Sequence, residues 1–244
     1  MKLSEKEKAA HRAAFQTMSL PEKLDHIYTY YKWPILLGIV ALMILGSLVQ
    51  RQLTKKEPLL YLALANVEVG EDLEDSLIGG YLRFVGADAR RQEVLLYRGL
   101  YLSDDADTVN HQYAYASHIK VMGAVNAKKL DVILMNREAY DLLSGSGYLL
   151  ALTADTFDPA LRERIAPYIT ENAVILSDND IEYQLGEAES HEVITETVEN
   201  AIELGSLPLF ENAGFDEPIY LGFIVNSPRL TESAQYVAYL FGSP

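Results

Sequence analysis

The chain has 244 residues, a net charge of −15 and no cysteine, so disulfides, thiol nucleophiles, Cys-based zinc sites and a lipid anchor on cysteine are excluded. The charge is uneven: residues 1–57 hold nine Lys and Arg against five Asp and Glu, and residues 58–244 hold 11 against 30. A domain that acidic repels nucleic acid, which removes that class of partner, and otherwise the acidity serves solubility.

Ser4-Glu5-Lys6-Glu7 is a capping box, and it predicts a helix to about Met18. Ser19-Leu20-Pro21-Glu22 repeats the pattern and starts a second helix, with Leu20, Leu24, Ile27 and Tyr31 at helical spacing. Such a stripe suits the plane of a membrane interface, a partner helix or a simple lead-in, so residues 1–32 read as an amphipathic cytoplasmic segment. Trp33 to Val49 follows, 17 residues without a charge. At helical rise it spans about 26 Å, close to the roughly 30 Å of a bilayer's hydrocarbon core.

The expectation is one transmembrane helix over 33–53, anchored through Trp33, Pro34, Leu42 and Val49, with Arg51 snorkelling to the interface. Tyr28, Tyr30, Tyr31 and Trp33 form the aromatic belt before it. A helix buried in a soluble core is the alternative. The 32 residues ahead of the run, and the sequence Ser47-Leu48-Val49-Gln50, do not suit a cleaved signal peptide. Basic residues close to the two ends are nearly balanced. Counting the whole tail places the N-terminus in the cytoplasm and the large domain outside the cell membrane.

A short linker, 54–58, leads to Leu59–Val67, apolar almost throughout, as in a strand covered on both faces. Leu73, Leu77, Tyr81 and Val85 predict an amphipathic helix, and Glu93–Tyr97 a second strand. The loop Ser103–Asp107 precedes a long helix whose apolar face is expected at Val109, Tyr113, Ala116, Ile119 and Met122. Leu130–Met135 is the third strand, and Arg137–Leu143 a short helix. Asp158-Pro159 starts a further helix that stops by Pro167. Ala173–Leu176 and Ile181–Leu185 read as short strands, Glu192–Leu204 as an amphipathic helix stopped by Gly205, and Ile219–Val225 as a buried strand. Ser227-Pro228 opens a last helix with Ala234, Val237, Ala238 and Phe241 inward. Strand–helix alternation implies an α/β fold, mainly a parallel sheet with flanking helices.

Motifs for chemistry are sparse. There is no nucleophile elbow, phosphate loop or dinucleotide fingerprint, and Gly145-Ser146-Gly147 follows a helix rather than a strand. His111 and His118 share a helix face but need Asp104 or Asp107 to bind a metal. Asp178, Asp180, Glu182 and Glu189 echo a calcium loop, with Tyr183 where the turn requires glycine. Acid pairs such as Asp104/Asp105 lack an apolar pocket to raise one pKa. No cofactor and no metal is expected. Tyr97, Tyr101, Tyr113 and Tyr115 suggest a shallow site near the end of the second strand. Open parallel sheets bind ligands beyond their strands' C-terminal ends, which nominates Asn66, Ser103 and Asn136.

Two stretches carry a resemblance. Lys129-Leu130-Asp131-Val132-Ile133-Leu134-Met135, with its helix and Gly147–Leu152, resembles part of the first lobe of type 2 extracellular solute-binding proteins. Leu221-Gly222-Phe223-Ile224-Val225-Asn226, with the final helix, resembles the late strand that returns to that lobe. The layout around Tyr30-Tyr31-Lys32-Trp33-Pro34 also resembles uncharacterised membrane-anchored proteins of gut Firmicutes.

The resemblance implies a single-lobe, periplasmic-binding-protein-like domain over 59–244. Its second lobe would be reduced near 153–218, a stretch of only 66 residues. The function expected is a membrane-tethered, non-enzymatic binding or interaction module. Its partner would be a transporter permease or another envelope protein. The alternative is a small-solute receptor belonging to an ABC-type transporter.

Overall fold

The structure, a computed structural model, describes residues 19–54, 56–104, 110–186, 190–211 and 213–242. Side-chain surroundings are described for all of these except 20–27, 29–31, 48–49, 51–54 and 182. The capping box at Ser4–Glu7, the helix expected up to Met18, and Asp105, Asp107, Val109 and Glu189 lie outside the described residues. The chain divides into two compact units, residues 1–55 and 56–244.

In the first unit a single helix, α1, runs over Leu20–Thr54 with Pro34 inside it. The second helix and the expected span are therefore one element. Trp33 is 67% exposed and Leu42 70%, and Ile35, Leu36, Leu37, Ile39, Met43, Ile44 and Leu45 are exposed too. Among the described residues no helix is long and apolar enough to cross a membrane. The structure thus lends the transmembrane helix expected over 33–53 no support of its own, and the side chains of Val49 and Arg51 lie outside the described set.

The second unit is α/β. Its strands are β1 (Glu57–Ala65), β2 (Gln92–Leu100), β3 (Val132–Met135), β4 (Ile169–Asp178), β5 (Val193–Glu203) and β6 (Tyr220–Phe223). They form one sheet in the order β2-β1-β3-β6-β5-β4. β1 is parallel to both β2 and β3, and the remaining pairings are antiparallel. Four of the six strands therefore share one direction, in a mixed sheet with flanking helices.

The continuous apolar runs behave as expected. In β1, Leu60, Leu62 and Leu64 enter the core on one face of the sheet, and Ala63 and Ala65 enter the core on the other. Val132 and Leu134 against Ile133 and Met135 repeat the division in β3. Strands this apolar require cover on both sides, and helices supply it.

On the first face lie α2 (Glu71–Asp75), a π-helical turn (Ser76–Gly80), α3 (Tyr81–Phe84), α6 (Pro159–Ile165) and α9 (Leu230–Leu240). The Tyr239 hydroxyl donates to Ser76 O at 2.7 Å, so close to Gly80 that any Cβ there would collide with it. On the second face lie α4 (His111–Asn126) and α5 (Arg137–Gly145). Between β4 and β5 stands α7 (Asp180–Gln184), and between β5 and β6 the short α8 (Pro208–Glu211).

Three expectations are corrected. The buried face of α4 is Ala114, Ser117, Val121 and Val125, while Tyr113 and Ile119 point outward. The stripe expected there assumed that the most apolar residues face the core, whereas the residues that do so are small. Ile181–Leu185 is the tip of a hairpin, mostly within α7, rather than a strand. Asn179 organises that tip, donating to Ser190 O at 2.9 Å and accepting from Glu192 N at 2.6 Å. The stretch Glu192–Leu204, expected as a helix, holds strand β5, because Val193, Ile194, Thr195, Thr197 and Val198 favour extended backbone. Its outer half, 193–197, is exposed throughout, so no burial imposed a period of two on the sequence. Residues 153–218 supply β4 and β5 to the sheet.

Candidate functional site

β1 and β3 run parallel and in register, with Leu64 beside Leu134 and Ala65 beside Met135. One residue further, each strand is followed by an Asn-x-Glu triplet: Asn66-Val67-Glu68 and Asn136-Arg137-Glu138. In-register pairing therefore brings two Asn-x-Glu ends to one edge of the sheet. β2 adds Gly99, Leu100 and Tyr101, and Asn110 and Tyr113 come from the start of α4. Together they line a cavity of about 410 Å³.

Asn66 has φ of 55°, a left-handed conformation that asparagine tolerates better than most residues. Its side chain copies a strand partner: Nδ2 donates to Leu102 O at 2.7 Å, and Oδ1 accepts from Leu102 N at 2.7 Å. The same Nδ2 approaches Glu138 Oε2 at 3.4 Å. Asn136 caps α5, its Oδ1 accepting from Ala139 N at 3.0 Å, while Nδ2 donates to Glu217 Oε2 at 3.2 Å. Gly99 has φ of 61°, and this backbone lets the Tyr113 hydroxyl donate to Gly99 O. The Tyr101 and Tyr113 rings stack, with centroids 6.5 Å apart and planes 16° from parallel. Tyr101 N donates to Ser117 Oγ at 3.1 Å, which ties the β2 end to α4.

The two nominated asparagines thus meet at one cavity. Ser103 is not among its lining residues, although Leu102 beside it is strapped to Asn66. Of the four nominated tyrosines, Tyr101 and Tyr113 are in the wall. Tyr97 stacks instead on Tyr61 at 6.4 Å, where burial raises its pKa above 10.0, and Tyr115 is exposed. Glu68, Glu138 and Asn110 are lining residues that the sequence reading missed. The repeated Asn-x-Glu after two apolar strands was the available signal for the first two.

The other nominated clusters do not assemble. Among the described residues no group of three or more His, Cys, Asp or Glu could hold a metal. Asp178 of the calcium-loop echo is occupied within the hairpin: Oδ1 meets His191 Nε2 at 2.9 Å and accepts from Asp180 N at 2.9 Å. The His191 hydrogen bond, aided by that backbone donor, holds the Asp178 carboxyl below 3.8. A larger depression, about 790 Å³, lies between residues 150–161 and α9 and contains none of the nominated residues.

An ion pair buried on its carboxylate side stands outside the cavity. Asp131, fully buried, accepts from Tyr61 N at 2.8 Å, from Ser227 Oγ at 2.6 Å and from Arg229 Nη1 at 3.1 Å. The Arg229 guanidinium also lies 4.7 Å from the Tyr61 ring centre. The cluster joins β1, the start of β3 and the lead-in to α9. It is a clamp rather than a site, because every carboxylate oxygen is committed.

Comparison with protein-family models, with curated proteins and with solved structures gives no match. The functional reading therefore rests on the residues themselves.

Proposed function

We propose that the chain is a membrane-tethered, extracytoplasmic binding module of solute-binding-protein type that acts without catalysis. The observation that carries the reading is α1: its large apolar side chains from Trp33 to Leu45 are exposed to solvent, without a charge between them. Exposed apolar surface on that scale needs lipid or protein cover. Lys32 and Arg51 bracket the run, and aromatic residues precede it, as at a membrane boundary. In this reading α1 is the anchor, the basic tail is cytoplasmic, and the acidic domain faces outward to meet a permease or another envelope protein.

Two features support the solute-binding part. β1, β2 and β3 are joined by helical crossovers, and the late strand β6 enters the sheet beside β3. The cavity lies where open α/β sheets place ligands, beyond the ends of parallel strands. Its size, about 410 Å³, lies within the range of small-molecule sites and favours a second reading, a receptor that itself captures a small solute.

Alkaline carbonate extraction of membranes tests the tether: full-length protein stays in the pellet, and its release into the supernatant would refute the reading. Protease added to intact cells should digest the domain. A thermal-shift screen with sugars, amino acids and peptides separates the two readings, since a captured solute raises Tm by mass action.

A further inference from the structure

We infer that the cavity at the ends of β1, β2 and β3 takes an organic cation, an ammonium or guanidinium group, held between the Glu68 and Glu138 carboxylates and the Tyr101 and Tyr113 rings. The inference rests on the binding-module reading and gives its ligand a chemistry.

Charge comes first. Among the described residues, the ionisable side chains in the wall, phenols aside, are Glu68 and Glu138, both acidic, and none is Lys, Arg or His. A third carboxylate, Glu217, is drawn to its rim by Asn136. Residues 58–244 carry 30 acidic side chains against 11 basic ones, so the field of the domain concentrates cations at its surface.

Ends of parallel strands more often attract anions, because helix N-termini point at them. Here α5 is supplied from within: Asn136 Oδ1 takes Ala139 N, and Glu138 stands in the first turn. A helix end amounts to about half a charge, less than either carboxylate carries.

The rings decide between a metal ion and an organic cation. A hard metal ion is held by several oxygen ligands, carboxylates foremost, and among the described residues no three His, Cys, Asp or Glu side chains gather to hold one. Stacked phenols instead offer π faces to a diffuse positive charge. Tyr113 is 51% exposed, so part of its ring stays open to solvent beside the stack on Tyr101. The walls are already placed, since Asn66 fixes the β1 end to Leu102 and the Tyr113 hydroxyl is anchored on Gly99 O. Little ordering is left for binding to impose.

The test is isothermal titration of the full chain in detergent micelles with choline, spermidine, the blocked peptide Ala-Lys-Ala, glucose and glutarate. Choline, spermidine or the peptide should bind while glucose and glutarate do not, and affinity should fall in high salt. Whether the free amine or the peptide binds tighter tells a solute from a protein side chain. Glu138→Gln and Glu68→Gln should each weaken binding about tenfold, or roughly 1.4 kcal/mol. Tyr113→Leu should do the same for choline, with Tm of each variant near that of the parent.

Cation binding indifferent to all three substitutions, preferential binding of glutarate or glucose, or no binding of any probe would each overturn the inference. Glucose or glutarate binding would still leave the binding-module reading standing. Release by carbonate would remove the membrane tether whatever the titration gave.

Discussion

The two halves of the sheet are built on different principles. In β2-β1-β3 the strands run parallel, and β1 has six consecutive buried residues, Leu60–Ala65. In the outer antiparallel half, β4 has no buried residue, and β5 is buried only at Asn200–Ile202. The first half derives its stability from apolar cover on both faces. The second projects as a hairpin, with Ile175, Leu176, Ile181, Leu185 and Ile194 exposed. What holds the hairpin's base is a polar device. The Tyr140 hydroxyl donates to Asn200 Oδ1 at 2.8 Å, Asn200 Nδ2 to Ser144 Oγ at 2.8 Å, and Ser144 Oγ to Ala173 O at 2.8 Å. Burial also pushes the Tyr140 phenol above its usual pKa. Apolar burial makes a rigid platform for the cavity, whereas hydrogen bonding attaches an arm whose far end contributes little to stability.

That contrast can be broken at several points. The largest effect belongs to Asp131→Ala in the parallel half, which leaves Arg229, Ser227 and Tyr61 N without their acceptor. Loss of one member of a buried pair costs about 3–5 kcal/mol, read as a fall in the urea midpoint with unchanged slope. A loss under about 1 kcal/mol would mean that the clamp is dispensable. Ile133→Ala, at a fully buried position of β3, should cost about 2–5 kcal/mol. Ile175→Ala on β4 should stay within about 0.5 kcal/mol. Equal losses at the two isoleucines would erase the distinction between the halves.

Asn200→Ala should cost about 1–3 kcal/mol, because it removes the shortest partner of the Tyr140 hydroxyl and the donor to Ser144 Oγ, leaving Tyr140 only its longer contacts with Thr170 at 3.3 Å. Hydrogen exchange would then rise in β4 and the outer part of β5 before it rises in β1. The smallest effect is at the hairpin tip. Asp178 titrates below 3.8 because of His191, so its pairing is present above that pH and lost as pH falls through the depressed value. Carboxyl NMR on His191→Ala should move the Asp178 midpoint back toward 3.8, with Tm near neutrality unchanged.

How much of this was readable follows the same division. Leu59–Val67, Leu130–Met135 and Ile219–Val225 announce β1, β3 and β6 because double-faced burial forces every position to be apolar. β5 reads as a helix because its outer half faces solvent on both sides, and Ile181–Leu185 is apolar without being buried. The α4 face is misassigned for the opposite reason: its contact residues are small, and its bulky ones are outside. Asn66 and Asn136 are legible from the strand-end rule, whereas Glu68 and Glu138 enter the site only once the two strands are set side by side.

By itself the sequence determined the elements whose pattern has a local cause: the uncharged run in α1, the apolar strands, and the helix starts at Asn136 and Asp158. Tertiary structure decided what depends on distant parts of the chain meeting. Asp131 finds Arg229 across 98 positions, the two Asn-x-Glu ends come level because β1 and β3 pair in register, and the hairpin joins the sheet through β6. Periodicity and composition report a residue's own surroundings, but pairing register and charge partners are fixed only when the sheet closes over its core.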